Sequence, residues 1–190
     1  MSLSVIKLGG SLMGSPELAL WLDKIVSKSK QSNYLIVPGG GKFADSIRNL
    51  QKTYQFDDVA AHQMAMLAMC QYAHYLLDIN PDLIIVNSNN AITENLNKQQ
   101  PLLWLPNDLI SGQVKVESSW DMTSDSISLW LATQLNAEKL TLVKSKELNS
   151  ERIQIEKHIK NNDLDKAFLR YSKNYAGEIT FYSKQQYQAF

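Results

Sequence analysis

The sequence predicts an α/β fold whose largely parallel sheet carries helices on both faces. Three observations support this. Short apolar runs such as "LSVIKL" and "YLIVP" read as strands buried on both sides. Stretches with apolar residues every three or four positions read as amphipathic helices. The two patterns alternate along the chain, the order expected of strand–helix–strand crossovers.

Each element follows from its own residues. "LSVIKL" (3–8) is a buried strand. "SPELALWLDKIVSKSK" opens with Pro16 and Glu17 in a first helical turn, then places apolar residues at 18, 21, 22, 25 and 26 on one face. "YLIVPGGG" (34–41) is a second strand ending in glycines, and "KFADSIRNLQKTY" returns to helical spacing through Phe43, Ile47 and Leu50, so the strand–glycine–helix unit occurs twice. "DDVAAHQMAMLAMCQYAHYLLDIN" is the longest helical pattern and stops before Pro81; "DLIIVNS" follows as a third buried strand. Between 91 and 120, "AITENLNKQ" reads as helix, "PLLWLP" as a short extended piece between two prolines, and "DLISGQVKVESSW" as irregular chain. "TSDSISLWLATQLNA" is a helix with apolar residues at 127, 130, 131 and 135, its first turn expected to be capped by Thr123, Ser124 and Asp125. "KLTLVKS" is the next strand. A charged helical stretch (151–160), a short helix in "LDKAFLRY" and a last strand, "EITFYS", complete the pattern. With no repeat, low-complexity tract or linker, residues 1–190 read as one domain.

Composition narrows the function. An apolar content of 44% suffices for a substantial core, and 19 basic residues balance 19 acidic ones without any basic stripe. A nucleic acid is therefore not the expected partner, whereas a small phosphorylated ligand needs only one or two local lysines. Cys70 is the one cysteine and sits in an apolar helical run, which suits a buried small hydrophobe and excludes an internal disulfide. His62, His74 and His158 match no zinc spacing, so no protein-ligated metal is expected. No segment has the length and apolarity of a membrane span or a secretory leader, and the expectation is a cytoplasmic protein that binds no membrane.

In a parallel α/β sheet, ligands gather beyond the carboxyl ends of the strands. Four pieces fall there: Lys7 with Gly9, Gly10 and Ser11; Gly39, Gly40 and Gly41; the cluster Asp121, Thr123, Ser124 and Asp125; and Lys144 at the end of "KLTLVK". Glycines let backbone N–H groups approach phosphate oxygens, and lysines supply charge where a phosphoryl group carries its own. A carboxylate among them can hold two lysines in place or accept a bond from a substrate. Each piece also has a purely structural reading: a helix-entry turn, a hinge, a helix cap and a solvent-facing lysine. Together they suffice for phosphoryl transfer, which consists largely of positioning and charge neutralisation. Neither glycine loop has Walker or G-x-G-x-x-G spacing.

In order, "VIKLGGS", "VPGGG", "TSDS" and "LTLVKS" resemble the amino acid kinase superfamily over most of residues 3–146. The resemblance implies a three-layer αβα sandwich and transfer of the γ-phosphoryl group of ATP, with Mg2+, to a phosphate or carboxylate acceptor. It implies that Lys7 stabilises the transferring group, Gly9, Gly10 and Ser11 line the ATP phosphates, and Lys144 is a second cationic contact. Gly39, Gly40 and Gly41 would face the acceptor, Asp125 would orient the lysines, and Asp121, Thr123 and Ser124 are assigned to the acceptor side. "AAHQMAMLAMCQYAHYLL", "WDMTSDSISLWLA" and "LDKAF" look most like a subgroup that phosphorylates aminomethylfuran phosphate in methanofuran biosynthesis, which implies that His62 faces the acceptor. The superfamily usually associates, implying a homo-oligomer. After Lys144, "KSKELNSERIQIEKHIKNNDLD" lacks the "DG" nucleotide loop and the longer C-terminal lobe common in the superfamily, implying a shortened nucleotide-binding lobe. Two readings stand: a kinase, or a non-catalytic binding or assembly subunit with an eroded nucleotide site.

Overall fold

The computed structural model describes residues 2–114, 116–146 and 155–190. Its strands are β1 (Leu3–Leu8), β2 (Asn33–Pro38), β3 (Ile84–Val86), β4 (Leu102–Trp104), β5 (Lys139–Lys144) and β6 (Glu178–Ser183). Its helices are α1 (Glu17–Lys28), α2 (Gly41–Tyr54), α3 (Asp58–Ile79), α4 (Asn89–Asn95), α5 (Asn107–Ile110), α6 (Ser124–Gln134), α7 (Ile155–Lys160) and α8 (Phe168–Ser172). The strands form one sheet in the order β3-β4-β2-β1-β5-β6, and every neighbouring pair is parallel.

Strand alternation sorts the core into two layers. Val5, Leu35, Val37, Leu140 and Leu142 face α6, where Ile127 and Leu131 cover them. Ile6, Leu8, Ile36 and Val143 point the other way, onto Leu18, Trp21, Leu22 and Ile25 of α1. Helix α3 serves both layers, with Met66 and Met69 in the first and Tyr72 and Leu76 in the second. This two-sided burial is why the strands read as unbroken apolar runs.

The same alternation sets the chemistry. Lys7 lies on the Val5 face of β1, and Lys144 on the Leu140 and Leu142 face of β5. Lys7 pairs in register with Leu142, so Lys144 lies two residues further along the sheet's carboxyl edge on the same side.

Several boundaries differ from the sequence reading. Helix α4 starts earlier, because the Ser88 side chain accepts from Ala91 N at 3.2 Å, and it stops at Asn95, before a left-handed Gln99 (φ 55°) and Pro101. The stretch read as irregular begins inside the short α5, which takes in its first three residues. Of the charged stretch 151–160, residues 151–154 lie outside the described residues and Ile155–Lys160 is helical. The helix in "LDKAFLRY" begins only at Phe168, because the residues before it are drawn into contact with α6. Among the described residues no helix is long and apolar enough to cross a membrane.

Candidate active site

Asp125, one residue into α6, reaches down between the ends of β1 and β5 and pairs with two lysines. Its Oδ1 lies 2.8 Å from Lys7 Nζ in a charge contact rather than an aligned hydrogen bond, and its Oδ2 accepts from Lys144 Nζ. All three groups are withdrawn from water, with side-chain exposures of 6% for Lys7, 7% for Asp125 and 15% for Lys144. Burial alone would push the Asp125 carboxyl up, but the two ammonium groups outweigh it and hold its pKa at about 2. Burial pushes the Lys7 ammonium down, and its pairing with Asp125 recovers only part of that because Lys144 repels it. The two directions agree physically: Asp125 has two cationic partners, whereas Lys7 shares its one counter-charge with Lys144. With both lysines protonated, the cluster would carry a single net positive charge, suited to an anion.

What caps α6 departs from expectation. Thr123 occupies the cap position but its side chain caps nothing, and Asp125 is committed to the lysines. The cap is Asp165, from the "LDKAF" segment. Its Oδ2 accepts from Thr123 N (2.8 Å), Thr123 Oγ1 (2.8 Å) and Ser126 N (3.1 Å), while its Oδ1 accepts from Ser126 Oγ. Burial and the nearby Asp125 charge raise the Asp165 pKa, against the pull of these donors. Asp121 does not join the lysine cluster; it pairs with Lys166 at 2.9 Å at the surface, with half its side chain exposed.

The glycine loops owe their glycines first to each other. The parallel ladder runs past the strand ends, with Gly9 N donating to Val143 O (3.1 Å) and Gly39 N to Leu8 O (2.9 Å). This brings the loops into backbone contact: a Cβ on Gly10 would collide with the N and Cα of Gly41, and one on Gly39 with Gly10 N. Gly41 enters α2 with φ 56°, a left-handed conformation that favours glycine. Tyr72 of α3 donates to Gly9 O at 3.3 Å and anchors the first loop from below. Gly10→Ala is therefore expected to prise the loops apart at a cost of about 1–3 kcal/mol. Thermal unfolding should register this as a fall in Tm of roughly 2–10 °C.

Two cavities meet at this point. The larger, about 400 Å³, is lined by Lys7, Gly10, Ser11, Gly40, Gly41, His62, Thr123 and Ser124 among the residues singled out in the sequence. The smaller, about 170 Å³, is bounded by Ser11, Lys144, Ser145, Lys146, Asn162 and Asp163. Ser11 borders both, Lys7 faces the first and Lys144 the second. Gly9 and Gly39 stand behind the walls as supports, and Asp125 lies beneath.

His62 is buried in the wall of the larger cavity with Nε2 unpartnered, and burial lowers its pKa, favouring the neutral ring. Sequence reasoning did not assign the rest of that wall. Met66, Met69 and Met122 form an apolar floor; the Arg48 guanidinium sits 4.4 Å from the centroid of the Trp120 ring, whose Nε1 donates to Gln51 Oε1 at 2.6 Å. Asp45 and Asp58 add carboxylates to the lining. The signal for Trp120 lay in its place beside "DMTSDS", and that for Arg48 in its helical spacing from the second glycine loop.

A three-layer α/β protein with these two adjoining cavities at the carboxyl edge of a parallel sheet is the class these features define. Within that class the chain belongs to the amino acid kinase family, whose sequence profile matches residues 2–147. It is 26% identical over 132 residues to the [5-(aminomethyl)furan-3-yl]methyl phosphate kinase of Methanocaldococcus jannaschii. That match takes in 70% of this chain and 61% of the relative, so the chain spans less than two thirds of the relative's length. UMP kinase from Bacillus anthracis superposes with a TM-score of 0.70 at 16% identity, covering 97% of this chain and 88% of that one. UMP kinase from Ureaplasma parvum gives 0.69 at 16% identity, with coverage of 95% and 89%. An isopentenyl phosphate kinase gives 0.61 at 14% identity, with coverage of 96% and 91%. These three likenesses establish the fold.

Proposed function

We propose that the protein is a small-molecule kinase that moves the γ-phosphoryl group of Mg-ATP from the smaller cavity to a phosphate acceptor in the larger one. The observation that carries this is the shared carboxylate: Asp125 holds Lys7 toward one cavity and Lys144 toward the other, with Ser11 between them. Phosphoryl transfer asks mainly for cations held where charge moves, and this arrangement supplies them without a nucleophilic side chain. Lys144, Lys146 and Ser11 suit the phosphates of a nucleotide, being cationic or hydroxyl donors. Mg-ATP supplies the phosphoryl group when bound. The acceptor oxygen forms the new bond to the γ-phosphorus as that phosphorus loses its bond to the oxygen bridging it to the β-phosphate, and ADP leaves. Lys7 and the loops at Gly10 and Gly41 face that exchange.

The acceptor we favour is aminomethylfuran phosphate, the substrate named for the methanogen relative. The larger cavity suits its parts. Arg48 and Lys42 suit a phosphate, the methionine floor and Trp120 a flat ring, Asp45 and Asp58 an ammonium group, and His62 Nε2 a hydrogen-bonding atom of the acceptor. In this reading residues 1–190 act as one kinase domain with a shortened nucleotide lobe, working as a homo-oligomer.

Calorimetric titration with Mg-ATP and a non-hydrolysable analogue, followed by 31P NMR of the protein mixed with Mg-ATP and aminomethylfuran phosphate, tests the proposal. Saturable nucleotide binding and a new diphosphate resonance are expected. Binding without transfer to any phosphorylated acceptor would reject the kinase, and no binding up to millimolar nucleotide would favour a non-catalytic subunit.

A further inference from the structure

We propose that Asp165 is a positioning residue for phosphoryl transfer: it holds the first turn of α6 so that the Asp125 carboxylate falls between Lys7 and Lys144. The inference rests on the kinase reading for its catalytic consequence and on geometry alone for its cause.

Asp125 can bridge two lysines on different strands only if the start of α6 is held at one height and angle above the sheet. Nothing near it in sequence does this. Thr123 makes no cap, and Asp125 is turned down toward the lysines. Asp165 instead takes four hydrogen bonds from Thr123 and Ser126, the residues two before and one after Asp125. The main chain adds a fifth, from Ala167 N to Asp121 O at 2.8 Å, and Lys166 pairs with Asp121.

Asp165 is itself held firmly. Leu164, Ala167 and Phe168 on either side of it are buried in the same core as Ile127 and Leu131 of α6. A carboxylate so fixed transmits the position of the core to the helix end, and from there to Asp125. The arrangement also makes Asp165 part of the active-site architecture although it lines neither cavity, while its neighbours Asn162 and Asp163 border the smaller one.

An amide can replace this carboxylate geometrically. In Asp165→Asn the remaining oxygen still accepts from Thr123 and Ser126 N, and the new NH2 donates to Ser126 Oγ, which reverses its role from donor to acceptor. In Asp165→Ala all four bonds vanish. The two variants therefore separate geometry from charge, and both separate positioning from mere stability.

The experiment measures kcat, both KM values and Tm for the two variants, together with the ammonium 15Nζ resonances of Lys7 and Lys144, assigned with single Lys→Arg variants. Asp165→Ala, assayed well below its Tm, is expected to lose about a hundredfold in kcat, the scale of a displacement near 1 Å at a reacting centre, with KM values little changed. The lysine resonances should move with it. Asp165→Asn is expected to recover most of the turnover and the wild-type resonances.

A folded Asp165→Ala with wild-type kcat and a lowered Tm would overturn the proposal and leave Asp165 a structural cap. Asp165→Asn as slow as Asp165→Ala would also overturn it, by showing that charge rather than geometry matters. If the wild-type protein transfers no phosphoryl group, the kinase reading fails separately, and the resonances decide alone: unmoved lysines in Asp165→Ala reject the positioning. Should Asp165→Ala not fold, Ser126→Ala removes one of the four bonds and is read in the same way. Lysine resonances displaced toward their positions in a free peptide support the proposal, and unmoved ones overturn it.

Discussion

Lys7→Met is expected to lower kcat by about a hundred- to a thousandfold while the sheet stays folded, the range seen when one preorganised donor to a developing charge is removed. Methionine keeps the length of the lysine stem between Val5 and the glycine loop, so no void opens in a position that is 5% exposed. Alanine would add a packing defect to the loss of charge. What disappears is the ammonium facing the larger cavity, and Asp125 keeps Lys144 as its partner. If Lys7 acts mainly on the transferring group, kcat and kcat/KM fall together and the KM for the acceptor is nearly unchanged. Steady-state kinetics at saturating Mg-ATP, with a thermal melt as the control for folding, give the answer. An unchanged kcat would remove Lys7 from the mechanism.

Asp125→Asn should do more damage, because it strikes turnover and stability together. From the sequence alone, asparagine would be expected to preserve a helix cap and lose only activity. The structure removes that protection: Asp165 is the cap, and Asp125 is the sole carboxylate paired with Lys7 and Lys144 among the described residues. Asparagine leaves two buried ammoniums facing each other, and losing one partner of such a buried arrangement costs about 3–5 kcal/mol.

The pH dependence has a definite sign. The Asp125 pKa is depressed to about 2, so its contribution is complete above the ordinary carboxylate range and is lost as pH falls through that range toward 2. The stability difference between wild type and Asp125→Asn should therefore be flat from neutral pH down to that range and shrink below it. Lys7 works in the opposite direction. Its pKa is already lowered by burial, and without Asp125 it falls further, so the variant should regain stability as pH rises toward the ordinary lysine range. Urea denaturation across pH, wild type beside variant, measures both limbs. A difference that does not diminish in acid would contradict the ion-pair account.

Elements whose signal is local were legible in the residues. The apolar runs of β1, β2, β5 and β6 and the periodic faces of α1 and α3 were placed within a few residues, because burial on one or both sides writes itself into composition. Lys7 and Lys144 stood out as charged residues within or at the end of apolar strands, and Asp125 as an acidic residue in a first helical turn beside them. Helix α4 and the start of α8 were misplaced, since each boundary depends on a side chain or segment whose partner was not evident: Ser88 for one and α6 for the other.

The residues alone are enough to show that strands and helices alternate, that glycine loops and lysines gather at the carboxyl edge, and that a carboxylate waits at the start of α6. What each of these does depends on contacts between segments far apart in the chain. Gly10 and Gly39 are glycines because two loops far apart in the chain pack backbone to backbone. Asp125 is a bridge and not a cap because Asp165, forty residues later, takes the capping bonds. Asp121 is a surface partner of Lys166 and Asp125 a buried partner of two lysines, although they lie only four positions apart in the sequence. One cause is common to all three. Periodicity and propensity report the environment of a residue along its own element, whereas the partner of a polar group is set by which distant segment folding brings to it.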